Sequence, residues 1–251
     1  MNWKQRIARS FRSFGYDLSR YQPNRHPLAQ LTQLLKTYDV NLVLDIGANL
    51  GQYATELRSN GYAGKIVSFE PLDTAYAQLE RAASKDPLWE TQKYALGASP
   101  STSVINIAGN SHSSSLLGML PAHEEAAPSS KYIGTQEIIV ETVDRLLPKL
   151  DHAGSSIWMK VDTQGFEGEV LKGSLDSLGR ISTIQLEMSL VPLYEGSETF
   201  ESLLQWMLDH HYGLVALQPG FTDNETGRLL QVDGIFHARK TSTNVPEAIR
   251  F

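Results

Sequence analysis

The sequence predicts an α/β protein with a mostly parallel sheet, because three segments join an apolar strand to a polar turn. The first is the apolar run Leu42–Ile46, which leads through a small-residue turn at 47–51 into a helix over Gln52–Ser59. Such runs are typical of strands buried on both faces. The other two segments, 65–70 and 156–162, each end on an acidic residue. Because ligands bind at the carboxyl ends of such strands, these turns form the candidate functional site.

The remaining elements follow from the same signals. A helix is predicted over 28–38 from its apolar spacing, and Asp73 is predicted to cap a helix over 74–83. Further strands are predicted at 92–96, 102–108, 136–142, 181–188, 212–217 and 235–239. Further helices are predicted at 143–150, at 169–172 and from Phe200 to His211, with Asp233 and Gly234 placed just before the last strand.

The turn after the first strand does not fit the dinucleotide fingerprint G-x-G-x-x-G, because Asp45 and Leu50 stand where its first and last glycines would be. A carboxylate there would repel a pyrophosphate but suits a ligand with a positive charge, such as the amino-acid part of S-adenosylmethionine. An ordinary structural turn is the alternative. The candidate cofactor contacts here are Asp45, Gly47, Ala48, Asn49, Gly51 and Tyr53.

The second strand ends on Glu70, 25 positions after Asp45. An acidic residue at about this distance from the first turn accepts hydrogen bonds from ribose hydroxyls in nucleotide-binding α/β proteins. Pro71 then ends the strand. We therefore add Glu70 and Pro71 to the cofactor contacts, although a solvated glutamate at a strand end would leave the same pattern.

Lys160 interrupts the apolar strand that precedes Asp162. A lysine in such a strand must reach solvent or pair, since an unpaired buried charge is costly, and Asp162 is the obvious partner. Glu187 interrupts a neighbouring strand near its end in the same way. Either a structural ion pair closes this turn, or these residues form a second part of the functional site.

The order of the motifs resembles that of the FkbM family of S-adenosylmethionine-dependent methyltransferases over about 42–240. The segments that carry the resemblance are VLDIGANLGQYATEL, VSFEP, YALG, SSSLL, MKVDTQGFEGEVLKG and IQLEMSLVPLYEG. It implies a Rossmann-like class I methyltransferase fold, with a mostly parallel seven-stranded sheet, helices on both faces and an antiparallel C-terminal hairpin. It also implies transfer of a methyl group from S-adenosylmethionine to a hydroxyl of a sugar, glycolipid or secondary metabolite.

The resemblance adds three candidate cofactor contacts. It places Ala95 and Leu96 beside the adenine, at the end of the third predicted strand. It places Ser115 in a site loop whose hydroxyls bind cofactor or acceptor, whereas the serine run by itself also fits a flexible loop.

Methyl transfer to an alcohol needs alignment of the reacting atoms and a group that accepts the hydroxyl proton. Asp162 and Glu187 are the candidate proton acceptors or acceptor-positioning groups, and Asp162 is also a candidate cofactor contact. Lys160 would hold Asp162 in place, or serve as the base if burial lowered its pKa. Weaker alternatives for the base are His112, His123 and His237. The sequence lacks a clustered Asp-Asp or His-Asp signature, so no metal ion is predicted.

Two other functions fit an α/β fold. A nicotinamide-dependent oxidoreductase lacks support because the glycine spacing and a Tyr-x-x-x-Lys pair are missing. A non-catalytic cofactor-binding or scaffold protein would keep the turn at Asp45 but would not need Asp162 and Glu187.

The composition describes one catalytic domain, residues 27–251, preceded by a basic amphipathic helix and connector, residues 1–26. The net charge of −6 argues against nucleic-acid binding, and the absence of cysteine excludes disulfides and thiolate chemistry. With no apolar run of membrane-spanning length and no secretory signal, a cytoplasmic protein is expected.

The first twenty residues carry a net charge of +4, and the remainder carries −10. Apolar side chains recur there at helical spacing: Trp3, Ile7, Phe11, Phe14 and Leu18. The favoured interpretation is a helix that packs on the catalytic domain or on a second subunit in a homodimer. The alternatives are peripheral contact with an anionic membrane surface and a lid over the acceptor site.

Overall fold

The structure, a computed structural model, describes residues 3–16, 20–150 and 154–239. Its helices are α1 (Trp3–Arg12), α2 (Pro27–Thr37), α3 (Gln52–Ser59), α4 (Asp73–Ala83), α5 (Pro121–Ala126), α6 (Val143–Leu150), α7 (Glu167–Lys172) and α8 (Phe200–Asp209). Its strands are β1 (Leu42–Ile46), β2 (Lys65–Phe69), β3 (Trp89–Gln92), β4 (Ala95–Leu96), β5 (Ser101–Ala108), β6 (Tyr132–Glu141), β7 (Ile157–Val161), β8 (Ile181–Ser189), β9 (Tyr212–Pro219) and β10 (Gln231–Ala238). Short 3-10 helices occupy Pro128–Ser130 and Leu175–Arg180.

The main sheet has seven strands in the order β3-β2-β1-β7-β8-β10-β9. The first five of these run parallel, and β10 runs antiparallel to both β8 and β9. This confirms the predicted class I methyltransferase fold with its antiparallel C-terminal hairpin. The carboxyl ends of β1, β2, β7 and β8 therefore lie side by side, which brings the predicted turns together.

The core has one apolar cluster on each face of this sheet. Leu42, Leu44 and Ile46 point into the cluster under α6 and α8, whereas Val43 points into the cluster under α2, α3 and α4. Successive side chains of a strand alternate between faces. Asp45 therefore shares the second face with Val43, beneath a helix layer, which explains its complete burial.

A second sheet of three strands, in the order β4-β6-β5, was not predicted. The expected single strand over 92–96 is wrong, because the chain leaves the main sheet after Gln92. Ala95 and Leu96 then pair with Val140 and Glu141 of β6. This sheet stands over the carboxyl ends of the main strands and supplies one wall of the site described below.

Two local predictions are also wrong. Asp73 is the first residue of α4 rather than its cap, and its carboxylate pairs with Lys93 at 2.6 Å. Asp233 and Gly234 lie inside β10, where Asp233 pairs with Glu187 of β8. The last strand therefore begins at Gln231, four residues before its predicted start at 235.

The N-terminal helix α1 does not bury its apolar face on the catalytic domain. Trp3 is 65% exposed. Phe14, predicted to share this helix face, lies in the turn after Arg12 and is 77% exposed, while Leu18 lies outside the described residues. Packing on the domain, one part of the favoured prediction, is therefore not observed. Among the described residues, no helix combines the length and apolar character needed to cross a bilayer.

Candidate active site

The site is built on two turns, after β1 and after β7, that contact each other directly. Gly47 has φ +78°, and a Cβ on this residue would overlap the main-chain oxygen of Asp162. The N–H of Asp162 in turn donates to the carbonyl of Ile46 at 3.1 Å. Gly51 also has a positive φ, but its missing Cβ makes room for Leu79 and Trp89 rather than for a ligand. The first glycine thus sets the approach of the two turns, and the second serves packing.

Asp45 is fully buried and does not line a cavity at the site. Its Oδ2 accepts a bond from the Ser68 hydroxyl at 3.0 Å, and its Oδ1 lies 3.7 Å from the Lys160 Nζ. Burial raises the pKa of Asp45, although the charge of Lys160 opposes that rise. Asp45 contacts Lys160 and lines neither the cleft nor the polar cavity described below. The predicted direct contact between Asp45 and a positively charged ligand is therefore not observed.

Lys160 is 8% exposed, and its Nζ pairs with Asp162 Oδ2 at 3.1 Å, as predicted. Burial alone would lower the pKa of Lys160, but the carboxylates of Asp162 and Asp45 outweigh burial and raise it. The lysine therefore stays protonated. The condition under which Lys160 would act as the base, a pKa lowered by burial, is not met, and its geometry is that of a group that holds Asp162.

Glu70 binds the first turn from the side of β2. Its Oε2 accepts the N–H of Asn49 and its Oε1 accepts the N–H of Leu72, each at 2.9 Å. Burial raises the pKa of Glu70 to about 7. A carboxylate can accept about four hydrogen bonds, so these two leave capacity for ligand hydroxyls.

A cleft with an empty volume of about 900 Å³ opens above these turns and is lined by Gly47, Asn49 and Glu70. Its wall on the side of the second sheet is apolar and aromatic, and consists of Pro71, Leu72, Tyr94, Ala95, Leu96, Ile105, Leu116 and Phe166. Polar residues close its other end: Asp162, Thr163, Gln164 and Glu187. An apolar slot beside a carboxylate suits a nucleoside, with the base against the wall and the sugar at the acid.

The fit to S-adenosylmethionine rests also on Asn49. Its side-chain Oδ1 is buried without a hydrogen-bond partner, while its Nδ2 lies 3.3 Å from the Ser111 hydroxyl and 3.2 Å from the His112 Nδ1. An unpaired buried acceptor is costly, and a ligand donor such as an ammonium or hydroxyl would satisfy it. Asn49, Glu70 and the apolar wall are the residues that would hold the cofactor.

Ser115 does not line the cleft. It is 1% exposed, and its hydroxyl donates to the main-chain oxygen of Gln164 at 2.6 Å and accepts the N–H of Leu117 at 3.1 Å. Its neighbour Ser114 lines the cleft instead. The structure thus places Ser115 behind the wall, where it positions Gln164, and not in the predicted contact with the cofactor.

The turn after β7 is organised by Gln164, which the sequence analysis did not single out. Gln164 has φ +57°, and its Nε2 donates to Asp162 Oδ1 at 2.8 Å and to Glu187 Oε2 at 2.7 Å. Its Oε1 accepts the Tyr194 hydroxyl at 2.7 Å. A left-handed backbone at a non-glycine residue is uncommon and marks functional turns. The advance signals were the glycine that follows it and its place in the segment MKVDTQGFEGEVLKG, which carries part of the family resemblance.

Two other residues at the site were not singled out. Glu167 is buried, and its Oε1 accepts the N–H groups of Thr163 and Gly165, so it holds the second turn as Glu70 holds the first. Burial raises the pKa of Glu167 to about 7. Asp233 lies on β10, opposite Glu187 of β8, and burial raises the pKa of Asp233 to about 6.

Asp162 and Glu187 differ in protonation. Burial would raise the pKa of Asp162, but Lys160 and hydrogen bonds from Gln164 lower it, so this carboxyl is ionised. Burial and the charge of Asp162 raise the pKa of Glu187 well above its usual value. The two carboxyls are therefore shifted in opposite directions: the environment favours the charged form of Asp162 and the protonated form of Glu187.

A second cavity, here called the polar cavity, adjoins the cleft and shares Gly47, Asn49, His112 and Asp162 with it. Its other lining residues are almost all polar: Ala48, Gln52, Tyr53, Glu56, Lys160, Gln185 and Asp233. Ala48 and Tyr53, predicted as cofactor contacts, thus face this cavity rather than the cleft. The Tyr53 hydroxyl donates to Gln185 at 2.9 Å. The four shared residues lie where the two cavities meet, and Asp162 is the acidic residue among them.

The three histidines that are alternatives for the base lie in different places. His112 lines both cavities. His123 is buried beside Tyr194 and Phe221, and burial lowers its pKa. His237 stacks on Tyr38 and contacts Thr183 near the start of β8, at the opposite edge of the sheet from the site, so it is not available as the base.

Comparison with known proteins assigns the family. A search of curated proteins finds no significant match. Among solved structures, the METTL16 methyltransferase domain is 9% identical with a TM-score of 0.49, over 85% of this chain and 68% of that one. The methyltransferase domain of bacterial CtHen1-CN is 12% identical with a TM-score of 0.47, over 86% and 100%. M. capricolum TrmK, in complex with S-adenosylhomocysteine, is 10% identical with a TM-score of 0.46, over 88% and 71%.

Those likenesses are too distant to support a functional argument. The sequence profile of the FkbM methyltransferase domain, in contrast, matches residues 45–214, which is most of the chain. The match spans both turns, Glu70 and Glu187. It decides against the nicotinamide-dependent oxidoreductase, and the cofactor is S-adenosylmethionine. The chain belongs to the FkbM methyltransferase family.

Proposed function

We propose that the protein is an O-methyltransferase that methylates a hydroxyl group of a sugar, a glycolipid or a secondary metabolite. The observation that carries this proposal is the position of Asp162, an ionised carboxylate at the junction of the cleft and the polar cavity. The cleft has the lining that a nucleoside needs. The polar cavity has side chains that hydrogen-bond to a hydroxylated acceptor.

When bound, S-adenosylmethionine supplies an electrophilic methyl group on a sulfonium. The protein aligns the acceptor oxygen with that methyl group, which accounts for much of the acceleration in displacements of this type. The new O–C bond would form as the S–C bond breaks, and S-adenosylhomocysteine would be released. Asp162 takes the hydroxyl proton. A carboxylate of low pKa can do so because the oxygen becomes strongly acidic as it bonds to carbon.

The neighbouring side chains orient the Asp162 carboxylate for this step. Lys160 holds one of its oxygens and Gln164 holds the other, which fixes the orientation of the carboxylate. The raised pKa of Glu187 favours its protonated form, which makes it a poorer proton acceptor than Asp162. Glu187 positions Gln164, whose amide bridges the two acids, and Gln231 holds Glu187 from the opposite side at 2.8 Å.

The test is transfer of an isotopically labelled methyl group from S-adenosylmethionine to a panel of sugars, glycolipids and phenolic or polyketide alcohols. We expect the label in a product that withstands mild alkali, as an ether does and a methyl ester does not. Label on nitrogen or in an alkali-labile ester would contradict hydroxyl methylation. Binding of S-adenosylhomocysteine without transfer to any fraction of a cell extract would favour the non-catalytic alternative.

A further inference from the structure

The N-terminal helix α1 and the turn after it expose several large apolar side chains to solvent. Trp3 is 65% exposed, Ile7 43%, Phe11 44% and Phe14 77%. The spacing of four places Trp3, Ile7 and Phe11 on one side of the helix, and Phe14 lies in the turn that follows its last residue, Arg12. Large apolar side chains exposed together on one face mark an interaction surface.

The charge of this segment identifies the chemistry of its partner. Residues 3–16 contain four basic residues and no acidic one, whereas the chain as a whole has a net charge of −6. Arg9 and Arg12 lie in the last turn of the helix. A short basic helix with tryptophan and phenylalanine on its apolar side suits the interface of an anionic bilayer, where rings enter the headgroup boundary and arginines attract lipid phosphates.

A second copy of the chain fits this surface less well. Each aromatic side chain offers about 150–250 Å², and only part of that is exposed here, so the four side chains together fall short of the roughly 800 Å² per partner of a stable interface. A two-fold contact between copies of α1 would also bring the basic residues of both helices together. Binding to an anionic lipid surface needs neither an apolar area of that size nor the approach of two basic helices.

We propose that α1 and the turn after it, through Trp3, Ile7, Phe11 and Phe14, dock the protein on the surface of membranes that contain anionic lipids. The helix lies in the interface and does not cross the bilayer. This proposal is independent of the reaction at Asp162 and of the identity of the acceptor.

The experiment is vesicle sedimentation with the full chain. One set of vesicles contains phosphatidylcholine alone, and a second contains about 30% phosphatidylglycerol. We expect at least tenfold tighter binding to the anionic vesicles, and loss of that preference at about 0.5 M salt, where charge interactions are screened. The double variant Phe11→Ser/Phe14→Ser should bind at least tenfold more weakly than wild type, because the buried apolar area falls.

The matched control is Ile133→Ser, which removes a side chain that is 73% exposed on β6 of the second sheet. It should bind vesicles as wild type does. The thermal midpoints of all three proteins, measured in parallel, should agree.

Absence of binding to the anionic vesicles would overturn the proposal, as would equal binding by wild type and the double variant. Sedimentation equilibrium provides the remaining comparison. A wild-type dimer that the double variant converts to a monomer would assign the face to a second copy of the chain and overturn the lipid assignment.

Discussion

The turns that follow β1 and β7 lie side by side at one edge of the sheet and are built in the same way. A buried glutamate holds each of them through backbone N–H groups: Glu70 for the first turn and Glu167 for the second. Left-handed backbone appears in both, at Gly47 and Asn49 in one and at Gln164 and Gly165 in the other. Their acids nevertheless differ, because Asp45 is fully buried whereas the Asp162 side chain is 34% exposed.

The difference follows from where each acid stands relative to the end of its strand. Asp45 is inside β1 and pairs in register with Lys160, on the sheet face that α2, α3 and α4 cover. Asp162 is the first residue after β7 and opens onto both cavities. Two similar motifs therefore supply one acid that supports the site and one that faces the reactants. Lys160, which contacts both, connects them.

The largest effect should come from Asp162→Asn. We expect kcat to fall by about 10²–10⁴-fold, the usual contribution of a proton-accepting side chain. The dissociation constant for S-adenosylhomocysteine, measured by calorimetry, should stay within about threefold, since ligands of the nucleoside wall are unchanged. Unaltered turnover would show that Asp162, like Asp45, only supports the site.

Gly47→Ala tests whether the two turns depend on close contact. The new Cβ would overlap the main chain of Asp162, so the free energy of unfolding should fall by about 3 kcal/mol or more in denaturant titrations. Gly61→Ala is the matched control, because Gly61 has φ +86° but open space around it. That variant should lose only about 1 kcal/mol. Equal losses would mean that backbone strain, rather than contact between the turns, explains Gly47.

Asp45→Asn should reduce stability more than turnover, which is the reverse of the effect expected for Asp162→Asn. Removing a fully buried charge beside Lys160 should lower the free energy of unfolding by about 2–3 kcal/mol, or the thermal midpoint by roughly 5–10 °C. Turnover of the folded variant should fall by about tenfold at most. A large loss of turnover without loss of stability would place Asp45 among the residues that face the reactants.

The smallest effect concerns the two glutamates that hold the turns. The folded protein keeps a proton on Glu70 and Glu167 up to about pH 7, whereas the unfolded chain releases it near its ordinary pKa of about 4.5. Their stabilisation is therefore complete below about pH 4.5 and is lost as the pH rises through about 7. We expect the free energy of unfolding to fall by about 1–2 kcal/mol between pH 5 and 8.

Denaturant titrations of Glu70→Gln and Glu167→Gln across this range separate the two turns. Each variant should show a shallower dependence on pH than wild type, because glutamine does not titrate. A slope that neither substitution changes would assign the pH dependence to other groups, such as Asp233, whose pKa burial raises to about 6.

The sequence by itself determined the parts of the site that depend on short segments. The run Leu42–Ile46 with its small-residue turn, the acidic end of β2 at Glu70 and the pairing of Lys160 with Asp162 were all readable from residue type and spacing. Such patterns depend on neighbours within a few residues, where hydrophobic alternation and glycine have direct conformational consequences.

Only the tertiary structure decided how these parts face one another. Ala95 and Leu96 joined the cleft wall by pairing with Val140 and Glu141, far along the chain. Gln164 became the bridge between Asp162 and Glu187 because β7 and β8 end side by side. Register, burial and electrostatic coupling arise between segments that are distant in sequence, so a local pattern does not specify which of two similar acids faces a cleft.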